Sequence, residues 1–244
     1  MTEAIYIGNR TIAASEVVPL LASYQMLPQL QRELIIDEAI ALVECTPEEV
    51  AQAQQHFFTE KQLTNEAEVQ AWMTYQGLSA SQLEAVTTRR LKIEKFKQAT
   101  WSHKLESYFF QCKTKLDKVI YSLLRTQDVG IAQELYFRIQ DKEKSFAEVA
   151  REFSLGPEAQ TGGLVGPIEL NALHPAMVQM LSSIQPGQVS PPTRIAEWFV
   201  ILRLEKFIPA QLDEPMKARL LNELFEAWLQ EQQKKIISDS QTSS

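Results

Sequence analysis

Imidazoles and thiols, the side chains that most often do acid–base, nucleophilic or metal chemistry near neutral pH, are scarce in this chain of 244 residues: His56, His103 and His174, Cys45 and Cys112. Neither His56 nor His103 has a second ligand at the spacing a metal centre requires. His174 stands just before Pro175 at a helix entrance, which reads as a surface position. The two cysteines lie far apart inside helical patterns, so buried reduced thiols are expected rather than a disulfide framework or a zinc site. There is no Gly-x-Ser-x-Gly elbow and no His-Glu-x-x-His pair. The glycine-rich stretch at 162–166 lacks the lysine and following helix of a phosphate-cradling loop. Hydrolase, metalloenzyme and nucleotide-binding chemistry therefore find no support, and no cofactor is expected.

Bulk properties narrow the field further. A hydrophobic fraction of 45% with 23% charged residues is ordinary for a folded globular chain. The net charge of −7 and a pI near 5.2 argue against nucleic acid as a partner, since phosphate binders concentrate basic charge. No uncharged apolar run approaches bilayer-spanning length. The opening MTEAIYIGNRTIAASE has no basic segment leading into an apolar run, so it does not read as a secretory leader and a cytoplasmic location is expected.

The elements that must position any site follow from pattern. Ile5 and Ile7, then Gly8-Asn9, then Thr11 and Ile12 suit two short strands about a tight turn. Helical spacing follows from Leu34 to Leu42. Thr46-Pro47-Glu48-Glu49, Asn65 with Glu68, and Ser79 with Gln82 mark new helix starts, and Gly77 marks a stop. The basic run 89–97 reads as a solvated helix face. Residues 14–115 are thus nearly all helix. The composition then changes: Val119 to Leu124 is a strand, Ile131 to Ile139 a helix, Ser145-Phe146-Ala147-Glu148 a capped short helix, Pro175 to Ile184 another helix, and Trp198 to Phe207 an alternating strand. After Pro209, Met216, Leu220, Leu224 and Trp228, with Leu221, Phe225 and Leu229 beside them, form a stripe too apolar to face water. It must dock, most economically on the N-terminal helices. The polar run 238–244 reads as a frayed tail.

Four ordered motifs give the middle third its resemblance to the parvulin family of peptidyl-prolyl isomerases. Ser145-Phe146-Ala147-Glu148-Val149-Ala150 with Glu152-Phe153-Ser154 is similar to the family's Phe-x-x-Leu-Ala…Ser helix, and Gly162-Gly163-Leu164-Val165-Gly166 to its Gly-Gly-Asp-Leu-Gly loop. Leu173-His174-Pro175-Ala176-Met177 resembles the Met-x-Pro-x-Phe helix start, and residues 185–192 resemble the Gly-Glu-Val-Ser turn. The outer segments resemble the layout of SurA-like and trigger-factor-like foldases. The resemblance implies an α+β fold: a parvulin-like domain at 117–209, an antiparallel-rich sheet with surrounding helices, inserted between an all-helical N-terminal region and a C-terminal helix. Residues 1–115 plus 210–237 would then make a helical peptide-binding module.

Within that family the resemblance places the apolar cup for the proline ring at Val165, Leu173 and Met177, with ordinary core packing as the alternative role. The family's polar network of two histidines and a cysteine or aspartate falls on Tyr121, Phe199 and Gly156, none of which replaces its counterpart in full. Ser122 and Ser154 offer hydroxyls nearby, Ser154 also serving as a turn cap. Arg125 is followed by Thr126-Gln127-Asp128 rather than the basic cluster of the phosphate-selective branch. Two functions are implied: a foldase that binds extended, proline-containing polypeptide and weakly catalyses isomerisation, or an inactive parvulin-fold chaperone, scaffold or export adaptor serving secretion machinery.

Overall fold

The computed structural model describes residues 4–242. Residues 1–3, part of the stretch read for a leader, and 243–244, the end of the expected tail, lie outside the described residues. The chain divides into two compact units, Met1–Leu105 with Lys217–Ser244, and Glu106–Met216.

In the first unit a hairpin of β1 (Ala4–Ile7) and β2 (Arg10–Ala13) pairs Ile5 with Ile12, with Gly8 at φ +58° in its turn. Helices α1 (Ala14–Ser23), α2 (Leu27–Ile40), α3 (Pro47–Glu60), α4 (Glu66–Gln76) and α5 (Ala80–Trp101) follow. The expected starts hold at atomic detail. Thr46 accepts from the Glu49 amide and Glu49 from the Thr46 amide, Asn65 accepts from the Glu68 amide, and Gln82 accepts from the Ser79 amide. Each cap satisfies an amide that the helix itself leaves free, worth about 1 kcal/mol. Gly77 closes α4 in the left-handed region.

The last helix, α10 (Glu214–Thr242), carries the apolar stripe, and its portion in this unit packs on α5. Leu220, Leu221, Phe225 and Leu229 are buried. The rings of Phe96 and Trp101 meet those of Phe225 and Trp228 at centroid distances of 5.3–6.3 Å. Arg32 of α2 grips Glu226 with two hydrogen bonds of 2.9 and 2.6 Å. The basic run 89–97 departs from its expected role as a solvated face. Arg89 pairs with Glu33 and Asp37, Lys95 with Glu49, and Lys97 with Glu94 and Asn222. α5 is flanked by α2, α3 and α10, so Arg89, Lys95 and Lys97 meet carboxylates and an amide of those helices, while the Arg90 side chain stays 75% exposed. Residues 238–242 of the expected frayed tail continue the α10 backbone.

The second unit takes all but the first residue of α6 (Leu105–Leu116) and contains β3 (Lys118–Thr126), α7 (Val129–Gln140), α8 (Phe146–Phe153), β4 (Leu164–Glu169), α9 (Pro175–Ser182), β5 (Thr193–Ile195) and β6 (Trp198–Ile208). Its bounds extend beyond the expected 117–209 at both ends. Asp117 links the segments on either side of the sheet: its carboxylate takes the Ala210 amide at 2.7 Å and Lys113 Nζ at 3.0 Å, and its carbonyl accepts from Leu170. The flanking turns are thereby tied to the sheet. The strands form one antiparallel sheet in the order β4-β3-β6-β5, which adds the short β5 to the expected elements.

Alternation along β3 and β6 gives the sheet two apolar faces. Val119, Tyr121, Val200, Leu202 and Leu204 share one with Leu170 and with Leu181 of α9. Leu124 and Ile201 share the other with Leu135 and Ile139 of α7 and Phe146, Val149 and Ala150 of α8. Complete burial of side chains such as Phe146 and Leu124 contributes about 1.5–3 kcal/mol each. No helix among the described residues is long and apolar enough to cross a membrane.

Candidate functional site

The site lies on the α9 face of the sheet. Tyr121 of β3 pairs directly with Val165 of β4. Leu173 and Met177 come from the entrance and first turn of α9. His174 is the N-cap of that helix: its Nδ1 accepts from the Ala176 amide at 3.2 Å, and Pro175 occupies the first helical position, where no amide is needed. The His-Pro start thus fixes the direction in which Leu173 and Met177 flank the helix entrance. Val165, Leu173 and Met177 are half-buried and pack on the cluster that contains Tyr121. The structure therefore gathers these four expected residues in one apolar cluster, the place where the resemblance puts the proline recess.

Tyr121 is 3% exposed. No hydrogen bond reaches its hydroxyl among the described residues, and none of their fully buried polar side-chain atoms is unsatisfied, so the oxygen is not fully buried. Burial pushes the phenol pKa above its ordinary value, the Glu158 carboxylate adds to the rise, and Arg125 opposes it. The group is accordingly a neutral hydrogen-bond donor at physiological pH.

Beside the recess lies a polar corner that sequence reasoning did not assemble. Arg125 reaches Glu158 through Nε at 3.1 Å and Nη2 at 2.8 Å. Ser154 donates to Glu158 at 2.6 Å and accepts from the Arg125 amide at 3.1 Å, so it joins strand to loop as well as ending α8. The Glu158 side chain is 4% exposed. Its charge is thus held by a bidentate guanidinium and a hydroxyl, the condition under which a buried carboxylate is tolerated. Trp198 completes the corner, with Arg125 Cζ 5.5 Å from its ring centroid.

Gly156 belongs here as packing rather than as a functional group. A Cβ on it would lie 2.1 Å from Arg125 Nε and 2.2 Å from Glu158 Oε2, so the ion pair occupies the space a side chain would need. Gly163 is required for a similar reason. It sits at φ +86°, and a Cβ would meet the Leu123 carbonyl oxygen at 2.8 Å.

Phe199 does not join the other expected residues. It pairs with Thr126 and shares the parity of Ile201, which faces α7 and α8, whereas Trp198 and Val200 face the recess. Motif alignment carried the position across without its side-chain direction. The same alternation, read from Tyr121 through Leu123 to Arg125, was the available signal for the polar corner. Cys45 and Cys112 form no disulfide and are half-buried rather than fully buried. The described residues contain no cluster of three metal-ligating side chains.

The PPIC-type PPIASE domain of the rotamases matches residues 111–206. The chaperone SurA of Pseudomonas aeruginosa is 33% identical over 111 residues, which cover 41% of this chain and 26% of that protein. The chain thus spans about a quarter of the length of that curated relative. Among solved structures, the peptidylprolyl isomerase PrsA of Bacillus cereus aligns over 100% of this chain and 92% of its own, with 17% identity and a TM-score of 0.50. PrsA of Bacillus anthracis aligns over 86% and 97%, with 17% identity and a TM-score of 0.46. At such identity the likeness to Bacillus cereus PrsA concerns the fold alone.

Proposed function

We propose that this chain, whose residues 111–206 match the PPIC-type PPIASE domain, is a foldase that holds extended, proline-containing polypeptide and weakly accelerates its X-Pro cis/trans exchange. The observation that carries the reading is the recess of Val165, Leu173 and Met177 beside the free Tyr121 hydroxyl. Rotation about a peptide bond is opposed by about 18–20 kcal/mol of amide resonance. Placing the proline ring in an apolar recess, with a donor near the amide, favours the twisted state in which nitrogen and oxygen no longer share charge. Neither a nucleophile nor a metal takes part.

Catalysis is expected to be weak because the polar groups nearest the recess are committed to one another. Arg125 and Glu158 are paired, Gly156 has no side chain, and Phe199 lies on the far face. That same commitment favours the second reading, an inactive chaperone or scaffold whose recess only docks prolyl segments, with an export adaptor for secretion machinery as its variant. The cytoplasmic location expected from the sequence belongs to this proposal. The lack of a disulfide at Cys45 and Cys112 is compatible with a reducing compartment, and cell fractionation tests it.

The deciding experiment is cis-to-trans exchange on a panel of X-Pro peptides with the wild-type chain, Leu173→Ala and Met177→Ala. Acceleration by wild type that falls at least tenfold in both variants supports the foldase reading. Peptide binding without acceleration leaves the scaffold, and neither binding nor acceleration removes both.

A further inference from the structure

Resting on the prolyl-recess reading, we propose that His174 is a positioning residue that makes the recess pH-sensitive: its neutral imidazole holds the entrance of α9, and its protonation releases that entrance and weakens the grip on a prolyl segment.

The first turn of α9 depends on residue 174 for its hydrogen bonds. Pro175, the first helical residue, brings no amide to be satisfied. The amides of Met177 and Val178 are taken by the His174 carbonyl at 2.8 and 3.1 Å. The Ala176 amide is left, and its partner is His174 Nδ1 at 3.2 Å. Proline also keeps the residue before it out of the helical region, and His174, at φ −60° and ψ 136°, has the extended backbone of an N-cap. Leu173 stands immediately before this cap and Met177 in the turn after it, so the two half-buried residues are joined through it.

Nδ1 accepts a hydrogen bond only while it carries no proton, so the cap requires the neutral imidazole with its proton on Nε2. A second proton makes both ring nitrogens donors. The imidazolium then turns an N–H toward the Ala176 N–H and sets a positive charge at the positive end of the helix. With eight residues, α9 has few internal hydrogen bonds to hold an uncapped first turn. Leu181, 3% exposed, keeps the far end on the sheet. The release is therefore local to the turn that carries Met177.

His174 forms no ion pair among the described residues, and α9 itself has no ionisable side chain. On the sheet face that α9 covers stand Tyr121, a neutral phenol across the range concerned, and Arg125, which is paired with Glu158. Arg203 and Glu205 of β6 pair with each other on the opposite face, where Arg203 lies over Phe146. Glu169 at the end of β4 accepts from Asn171, and Asp117 is paired with Lys113.

The test uses the full chain and a blocked Ala-Leu-Pro-Phe-Ala peptide, which has no ionisable group. Binding is followed by Met177 methyl shifts from about pH 8 to about pH 5, the range across which an imidazole changes charge. Affinity is expected to fall about fivefold with acid, the factor that corresponds to one lost N-cap. Without peptide, the Ala176 amide signal should move with the same midpoint as the His174 ring signals. His174→Asn, whose carboxamide caps at either pH, should hold the affinity ratio within about twofold. His174→Ala should show an equally flat profile at about one fifth of the wild-type affinity at pH 8. His56 and His103 remain in both variants, so a pH dependence that survives in His174→Asn belongs to another group and overturns the inference. A flat wild-type profile, or an Ala176 signal that ignores the His174 ring, overturns it as well. Those outcomes leave the foldase reading standing, whereas a peptide that never shifts Met177 at any pH removes the recess reading and the inference with it.

Discussion

Replacing Gly156 by Ala tests the polar corner with one methyl group. The residue has φ −110° and ψ 173°, extended backbone that alanine adopts freely, so no conformational strain enters. The cost is steric. The new Cβ would stand 2.1 Å from Arg125 Nε and 2.2 Å from both Arg125 Nη2 and Glu158 Oε2, where ordinary contact begins near 3.4 Å. The pair must therefore retreat by about 1 Å or more, a movement that removes a carbon–carbon contact's worth of space from contacts of only 3.1 and 2.8 Å. Arg125 cannot simply lift away, since Trp198 covers its other side. Breaking a buried pair costs about 3–5 kcal/mol. Two effects reduce that figure: the Arg125 side chain, 28% exposed, can recover some hydration, and alanine stiffens the unfolded chain by about 0.4–1 kcal/mol. The net expectation is a loss of about 2–4 kcal/mol from the sheet-bearing unit.

Urea unfolding followed at Trp198 reads that loss directly, because the other three tryptophans belong to the helical unit. A 5-fluorotryptophan signal for each ring separates the two transitions. The same substitution in an Arg125→Ala background should cost less than about 1 kcal/mol, because the closest obstructing atoms are gone. A Gly156→Ala chain within about 0.5 kcal/mol of wild type would show that the Arg125–Glu158 pair does not lie against this residue, and the assigned role of Gly156 would fall with it.

Phe225→Ala should destabilise the helical unit by about 3–5 kcal/mol, since a buried ring stacked on Trp228 and edge-packed on Phe96 and Trp101 is lost; a change below about 1 kcal/mol at Trp101 and Trp228 would show that α10 is not docked through this ring. Acid should weaken the same unit in a defined window. The Arg32 hydrogen bond holds the Glu226 carboxyl below the usual carboxylate range, so its contribution is complete above the ordinary value near 4.3 and disappears as pH falls through the depressed folded value. The urea midpoint should stay level from about pH 7 to pH 5 and drop below about pH 4, and Glu226→Gln should shrink that drop; an unchanged acid limb in the variant would remove the pair from the account.

What was legible in this chain follows from the range of the interactions. Thr46, Asn65, Ser79 and Ser145 announced their helices because a cap involves residues three apart, and the α10 stripe announced a docked helix because its period is local. The recess residues were legible for a similar reason: Leu173, His174, Pro175 and Met177 form one helix entrance. The polar corner depends on Arg125, Ser154, Glu158 and Trp198, drawn from two strands, a helix end and a one-turn helix, and no local pattern links them. Glu158 in particular reads as a solvent-facing acid in a glycine-rich loop until Arg125 is placed beside it. Gly156 and Phe199 show the matching error. Aligned motifs say which position corresponds, but a strand presents neighbours to opposite faces and a loop admits or refuses a side chain by what lies against it. At Gly156 the missing side chain is therefore the condition for a different polar arrangement. Its charges close on each other, and the phenol of Tyr121 is left with no hydrogen-bond partner among the described residues.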